Sequence, residues 1–182
     1  MQEKLEILKT NEFNKWLSQQ QSKIRTLVLS RLDLVSIGHF GLHKRFDGLI
    51  ELKWLNGFVF IHLCGEKQSL LLSTEEIKMA KVVTSKKQKK LGMKFLKVHE
   101  PFTSKELKNS KLVIETLLEC IRSGDIDSFR EVLTSHLMTV NKTKIAAKSG
   151  IGRRTLYDLM DPKKDFNPEL STISAIIQSL AA

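Results

Sequence analysis

The chain is poor in the features that most often announce a function. It has two cysteines, Cys64 and Cys120, with no CxxC and no metal-type spacing, so both are expected to be reduced thiols. Its five histidines, His39, His43, His62, His99 and His136, show no ligand spacing, and no metal is expected. There is no Gly-rich phosphate loop and no Ser-His-Asp or Cys-His arrangement, so no cofactor is expected either. No apolar run approaches the ~20 residues that a membrane-spanning helix needs, which excludes a membrane partner of that kind. Met1-Gln2-Glu3-Lys4 lacks a cationic region followed by an apolar run, so no signal peptide is expected. These absences point to a cytoplasmic protein.

Charge is what the chain has in excess. In 182 residues, 41% hydrophobic and 27% charged, the formal net charge is +10. The length allows one ordinary domain or two small ones. Residues 1–100 hold 18 basic and 10 acidic side chains, against 12 and 10 in residues 101–182. A positive excess suits a polyanionic partner such as nucleic acid.

Periodicity divides the chain. Leu5-Glu6-Ile7-Leu8-Lys9 reads as a short strand. Thr10 or Asn11 caps a helix with Phe13, Trp16 and Leu17 at i, i+3, i+4 spacing. A second helix runs from about Ser22 to Val35, with Ile24, Leu27, Val28, Leu32 and Val35 as its apolar face and Lys23, Arg25 and Arg31 among its basic residues. Gly38 and Gly41 stop it. Three β-rich runs follow: Leu49–Trp54, Phe58–Leu63 and Ser69–Leu72. Asn56-Gly57 separates the first pair as a hairpin signal, and Gly65-Glu66-Lys67 separates the second. Thr74 then caps a helix carrying Ile77, Ala80 and Val83. The expected unit is α+β: a strand, two helices, a three-strand antiparallel meander and a final helix.

From Thr84 the composition changes. Lys86, Lys87, Lys89 and Lys90 read as part of a basic linker over 84–100. Beyond it everything reads as helical. Ser110 caps Lys111–Arg122, which ends at Gly124. Asp125 or Asp127 caps a helix to about Met138, with Ile126, Phe129, Val132, Leu133 and Leu137 on one face. Three more helices cover about Thr143–Lys148, Arg153–Met160 and Ser171–Leu180.

The stretch from Thr139 to Met160 carries the pattern of a helix-turn-helix. Ile145 and the small Ala146 face inward on the first helix. Gly150 supplies a left-handed turn, Ile151 plugs the core, and Leu156 and Leu159 anchor the second helix. Arg153, Arg154, Thr155, Tyr157 and Asp158 are left toward solvent, where the start of the helix would offer side chains to base edges in a major groove. Arginine is the usual partner of guanine N7 and O6. Lys142, Lys144 and Lys148 suit phosphates, which set position rather than sequence. Gly152 stands at the N-cap, where Ser or Thr would cap better.

Several strings in this half resemble the HigA-like addiction-module antidotes, small helix-turn-helix antitoxins of bacteria and phages. They are Pro101-Phe102, Arg122-Ser-Gly-Asp125, Lys144-Ile-Ala-Ala-Lys-Ser-Gly-Ile, Arg153…Leu156-Tyr157 and Asn167-Pro168…Leu170-Ser171-Thr172-Ile173. The resemblance covers about Met93–Ala182. Residues 5–83 resemble the cognate phage-type RelE/ParE (HigB-like) toxin. The features are Glu12-Phe13…Trp16-Leu17, Arg25…Arg31-Leu32, Gly38-His39-Phe40-Gly41, Gly48–Lys53, Leu70–Leu72 and Glu76-Ile77…Ala80-Lys81. The chain therefore looks like two adjacent genes read as one, with Met93 a relic of the antitoxin start. The resemblance implies a RelE/HigB-like domain over 1–83, a linker over 84–100 and an antitoxin helix-turn-helix domain over 101–182.

That toxin fold implies mRNA cleavage on the ribosome, chemistry that needs cations at the phosphate and an acid/base pair. The chain departs from the pattern: Phe58-Val59 stands where the family has Tyr-Arg, and Leu72 runs almost directly into Ser73-Thr74-Glu75 where it has a Gly-Gly-Asp-Lys-type loop. Lys53, Lys67, Arg45 and His62, with His43 and Lys44, remain as candidate catalytic groups without forming a recognised constellation. The leading expectation is a fused type II toxin–antitoxin protein, a homodimeric DNA-binding autoregulator on an operator palindrome, with a neutralised or inactive toxin-like domain. The alternative is a self-restrained ribosome-dependent mRNA endonuclease, meeting ribosome or mRNA through that domain and released when the linker is cut.

Overall fold

A computed structural model describes residues 5–46, 49–54, 61–64, 69–74 and 97–181. The Asn56-Gly57 hairpin, Phe58-Val59, Gly65-Glu66-Lys67, the helix expected after Thr74, the lysine cluster at 86–90 and Met93 all lie outside them. Among the described residues there are six strands and eight helices. The strands are β1 (Glu6–Lys9), β2 (His43–Phe46), β3 (Leu49–Leu52), β4 (Ile61–Cys64), β5 (Ser69–Thr74) and β6 (Lys97–Val98). The helices are α1 (Asn11–Gln19), α2 (Ser22–Ser36), α3 (Lys105–Lys108), α4 (Ser110–Ser123), α5 (Ile126–Thr139), α6 (Lys142–Ser149), α7 (Arg153–Met160) and α8 (Leu170–Ala181).

The chain forms two compact units, and the division is not the simple one that the sequence suggests. One unit takes residues 1–20 and 34–101, and the other takes residues 21–33 and 102–182. Helix α2 was expected to belong wholly to the N-terminal α+β domain. Instead its first three turns are part of the helical unit.

The first unit is α+β. Its sheet has the order β2-β3-β4-β5-β1-β6. Strands β2 to β5 are successive antiparallel neighbours, so the meander has four strands rather than the expected three. The extra strand, His43-Lys44-Arg45-Phe46, has two cations at its centre and lacks the apolar alternation that marks a half-buried strand. β1 joins parallel to β5, with Ile7 opposite Leu70. On its other side Leu8 pairs with Val98 of β6, and the His99 amide donates to the Ile7 carbonyl at 2.8 Å. The end of the expected linker is therefore sheet, in a strand of two residues that is too short to leave a periodic signal. Thr10 caps α1 as expected, its Oγ1 accepting from the Phe13 amide at 3.0 Å. Ile7, Phe13, Leu17, Leu52 and Trp54 are buried.

The second unit contains only helices among its described elements. Asn109, rather than Ser110, caps α4 through Oδ1 to the Leu112 amide at 3.3 Å. Gly124 ends α4 in the left-handed conformation, with φ +71. Asp125 caps α5, accepting from the Ser128 amide at 3.0 Å and the Ser128 hydroxyl at 2.7 Å. The core gathers Val113 and Leu117 from α4, Val132, Leu133 and Leu137 from α5, Ile145 from α6, Leu156 from α7 and Ile176 from α8. Ile126, expected on the apolar face of α5, is 48% exposed, because it stands in the first turn beside the cap rather than under the neighbouring helices.

α5 is the central helix, and from Glu131 to Leu137 every residue is buried. The burial includes polar groups that periodicity did not single out. Arg31 is 1% and Glu131 6% exposed, and Arg31 Nε meets Glu131 Oε2 at 2.6 Å. Ser135 Oγ donates to the Ser30 carbonyl at 3.1 Å. His136 Nδ1 lies 2.6 Å from the Leu107 carbonyl, which makes Nδ1 the protonated nitrogen of a neutral ring.

Burial moves two of these groups in opposite directions. It pushes the Glu131 carboxyl up to about 7, an effect that the Arg31 guanidinium partly offsets and that Asp127 and Asp125 reinforce. It pushes the His136 ring below its ordinary value, against the bond to Leu107. By linkage, the raised Glu131 contributes stability that is full below its ordinary value of 4.5 and lost as pH rises through about 7. The lowered His136 contributes stability that is full above its ordinary 6.5 and lost as pH falls. Between pH 5 and 7 the two slopes oppose each other. Glu131→Gln removes the falling one, so urea titrations should show the variant's stability rising more steeply with pH than the wild type's; parallel curves would contradict the assignment. Arg31→Met leaves a buried carboxylate unpaired and should cost about 3 kcal/mol or more at pH 8. The cost should shrink at pH 5, where Glu131 takes up a proton. Arg31→Met combined with Glu131→Leu should be more stable than Arg31→Met alone.

Candidate nucleic-acid interface

The helix-turn-helix is built from α6, a three-residue turn and α7. Asn141 caps α6, its Oδ1 accepting from the Thr143 and Lys144 amides at 3.0 and 3.2 Å. Ile145 is buried, and Ala146 and Ile151 pack against the core. Gly150 ends the helix at φ +69, with open space where a Cβ would stand. The glycine is thus required by backbone conformation and not by crowding. The Ile151 amide donates to Ser149 Oγ at 3.3 Å, which draws the turn back onto α6. Leu156, Leu159 and Met160 are buried and fix one side of α7 to the core.

The other side of α7 is the candidate site. Arg153, Arg154, Thr155 and Tyr157 are exposed, Tyr157 at 48%. Lys144 and Lys148 on α6 are exposed and Lys142 is half-buried. Among the described residues none of these five cations has an ion-pair partner, so their charge is available to a polyanion. Gly152 makes no side-chain cap, which leaves the first amides of α7 without a side-chain acceptor. Such amides suit a phosphate oxygen. All seven residues expected at a DNA surface are therefore carried by two consecutive helices, and none of them is fully buried.

Two contributors escaped the sequence reading. Asp158 is the one acid on α7, and Lys164 Nζ lies 2.5 Å from its Oδ1. That neutralises the only negative charge on the candidate reading helix. The loop carrying Lys164 is held by Arg130, which donates through Nη2 to the Asp161 carbonyl and to the Lys164 carbonyl at 2.9 Å. The Arg130 guanidinium also stacks 5.3 Å from the Phe166 ring centroid. Arg130 and Lys164 are thirty-four residues apart, so no local motif links them.

The candidate catalytic groups of the first unit are divided between the two faces of the sheet. Arg45 is exposed and sits 5.4 Å over the Phe40 ring. Lys53 pairs with Glu51 at 3.0 Å. Arg45 is opposite Ile50 in the sheet register. Glu51 is the next residue and points to the other face, so Arg45 and the Lys53–Glu51 pair are on opposite sides. His43 Nδ1 contacts its own turn at the Gly41 carbonyl, 2.8 Å away. Lys44 and His62 are each paired in register with Glu51. Lys67 lies outside the described residues.

No protein-family model, curated protein or solved structure matches the chain.

The turn gives two stability predictions. Gly150→Ala should cost about 1 kcal/mol or more in chemical denaturation, because alanine is strained at positive φ whatever the space. Gly152 has extended backbone, φ −60 and ψ 140, and a Cβ there would meet only Thr155 Oγ1 at 3.8 Å. Gly152→Ser should therefore add a few tenths of a kcal/mol by capping α7, and a loss of stability would show that the turn is not free to accept a side chain.

Proposed function

We propose that the chain is a sequence-specific DNA-binding regulator, a fused toxin–antitoxin protein whose helix-turn-helix reads an operator and whose toxin-like portion is neutralised or inactive. The observation that carries this reading is the exposed side chains of α6 and α7, where Lys144, Lys148, Arg153 and Arg154 have no acidic partner among the described residues and Thr155 and Tyr157 are exposed with them. Lysines on the first helix meet phosphates and position the protein, while arginines at the start of the second reach guanine edges. One module of this size buries too little surface for tight specific binding, so the functional form is a two-fold dimer on a palindrome. Lys164 supports the reading, since an unpaired Asp158 would repel the phosphate backbone. The candidate catalytic groups are split: Arg45 is on one face of the sheet, while Lys44, His62 and the Lys53–Glu51 pair share the other.

The test is fluorescence anisotropy with duplex DNA taken from upstream of the gene. Affinity should fall steeply as salt rises, since each phosphate contact releases counterions. Arg153→Ala and Arg154→Ala should each weaken the specific site by about tenfold or more and reduce discrimination against other sequences. Lys148→Ala should weaken all duplexes alike and reduce the salt slope by about 1. Unchanged affinity in the Arg153→Ala, Arg154→Ala double variant would overturn the proposal.

A further inference from the structure

Helix α7 turns Leu156, Leu159 and Met160 into the core. At about 3.6 residues per turn, the positions opposite them are Arg154 and Asp158, four residues apart on one stripe. Tyr157 stands beside that stripe, and Arg153 and Thr155 lie nearer its margins. The middle of the exposed side is thus shared by one cation and the one acid of the helix. A carboxylate there is costly beside a polyanion, and its side chain, 43% exposed, has no place in the core.

Asp158 is only half engaged. Lys164 Nζ donates to Oδ1 at 2.5 Å, and among the described residues Oδ2 has no partner. Arg154 stands at the spacing where it could pair with Asp158, yet the acid goes to Lys164 and the guanidinium stays open. The turn that presents Lys164 is tied down on several sides. The Lys164 amide donates to the Asp161 carbonyl at 3.1 Å, and the Lys163 amide donates to Asp161 Oδ1 at 3.0 Å. The Lys164 carbonyl accepts from Arg130 Nη2 at 2.9 Å. Phe166 meets the buried Phe129 ring at 6.0 Å between centroids. Lys164 is therefore held where it covers one oxygen of Asp158 and leaves the other open.

We infer that Asp158 is a specificity-determining residue, whose Oδ2 accepts from the N4 amino group of a cytosine in the major groove while Lys164 holds Oδ1 and offsets the charge. The inference rests on the DNA-binding reading above and names the base that one position of that surface selects. An ionised carboxylate can only accept hydrogen bonds. In the major groove guanine presents two acceptors, thymine an acceptor and a methyl group, and adenine an acceptor beside its amino group. Cytosine alone presents a donor with no acceptor next to it. Asp158 therefore matches one base and is opposed by the other three. An ammonium has three donors, so Lys164 can keep one on Asp158 and offer the others to a phosphate. Arg154, one turn earlier on the same stripe, is left for a guanine.

The experiment uses the full chain to enrich sequences from a pool of randomised duplexes, and the bound duplexes are read by sequencing. The wild type should enrich a motif with a fixed cytosine. Asp158→Ala should make that one position indifferent, a loss of discrimination of about tenfold there, and leave the other positions as they are. Asp158→Asn should move the same position to adenine, because an amide accepts from N6 and donates to N7. A merely structural role for Asp158 would weaken every position together and would not exchange one base for another. Lys164→Ala should weaken the motif and its single-base mismatches alike while the cytosine is still preferred. A wild-type motif that both Asp158 variants leave unchanged would overturn this inference alone, and so would a uniform loss at every position. A wild-type chain that enriches no sequence would overturn the proposed function and this inference with it.

Discussion

A guanidinium that is 1% exposed must be answered inside the protein, and Arg31 is answered by a carboxylate at 2.6 Å. Taking two charges out of water costs several kcal/mol for each ion after relaxation, and their attraction offsets this only when the geometry is good. The pair is therefore a weak source of stability and a strong source of register. A slipped helix would leave both charges buried and unpaired, a far larger penalty than a slipped leucine suffers. The high pKa of Glu131, about 7, is the sign of how costly that burial is even with Arg31 beside it.

The helix that carries Glu131 also carries the helix-turn-helix. One side of α5 holds Glu131 and Ser135, which meet residues 21–33, with His136 beside them on the Leu107 carbonyl. The same helix contributes Val132, Leu133 and Leu137 to the core that seats Ile145 of α6 and Leu156 of α7. At its start, Arg130 ties down the loop from which Lys164 reaches Asp158. α5 thus joins a polar docking surface to the apolar base of the helix-turn-helix. Its continuous burial from Glu131 to Leu137 follows from having occupants on every side.

How much of this could be read from the chain depended on the range of the interaction. Caps, turns and the α6–α7 pattern are local. Ala146, Gly150, Leu156 and Leu159 are where spacing put them, because small residue, turn glycine and leucine pair must fall in register to make that turn. The limits of α7, Arg153–Met160, follow from the same signals. Contacts of high sequence separation left no such trace. Arg31 and Glu131 are one hundred residues apart, and in the sequence each is simply a charged residue on a helix. A buried ion pair breaks the rule that charge marks the solvated face, so periodicity drew the division of the chain where the composition changes and left residues 21–33 on the wrong side of it. β2 and β6 were missed for a different reason: one is too cationic and the other too short to show alternation.

The uneven charge of the chain acquires a more specific meaning from this arrangement. The positive excess lies in the N-terminal half, away from the helix-turn-helix, which stands in the nearly balanced C-terminal half. Three of the N-terminal cations, Lys23, Arg25 and Arg31, are instead taken up by carboxylates of the C-terminal helices. Those carboxylates are part of the reason that the C-terminal half looks nearly neutral. Glu106, Glu119 and Glu131 are answered within the unit and do not oppose a polyanion, while the lysines and arginines of α6 and α7 have no partner among the described residues. Local charge on the candidate reading surface is therefore more positive than the composition of residues 101–182 suggests. The balance that counts for DNA is set by which acids are already paired, and pairing of that kind is a property of the fold.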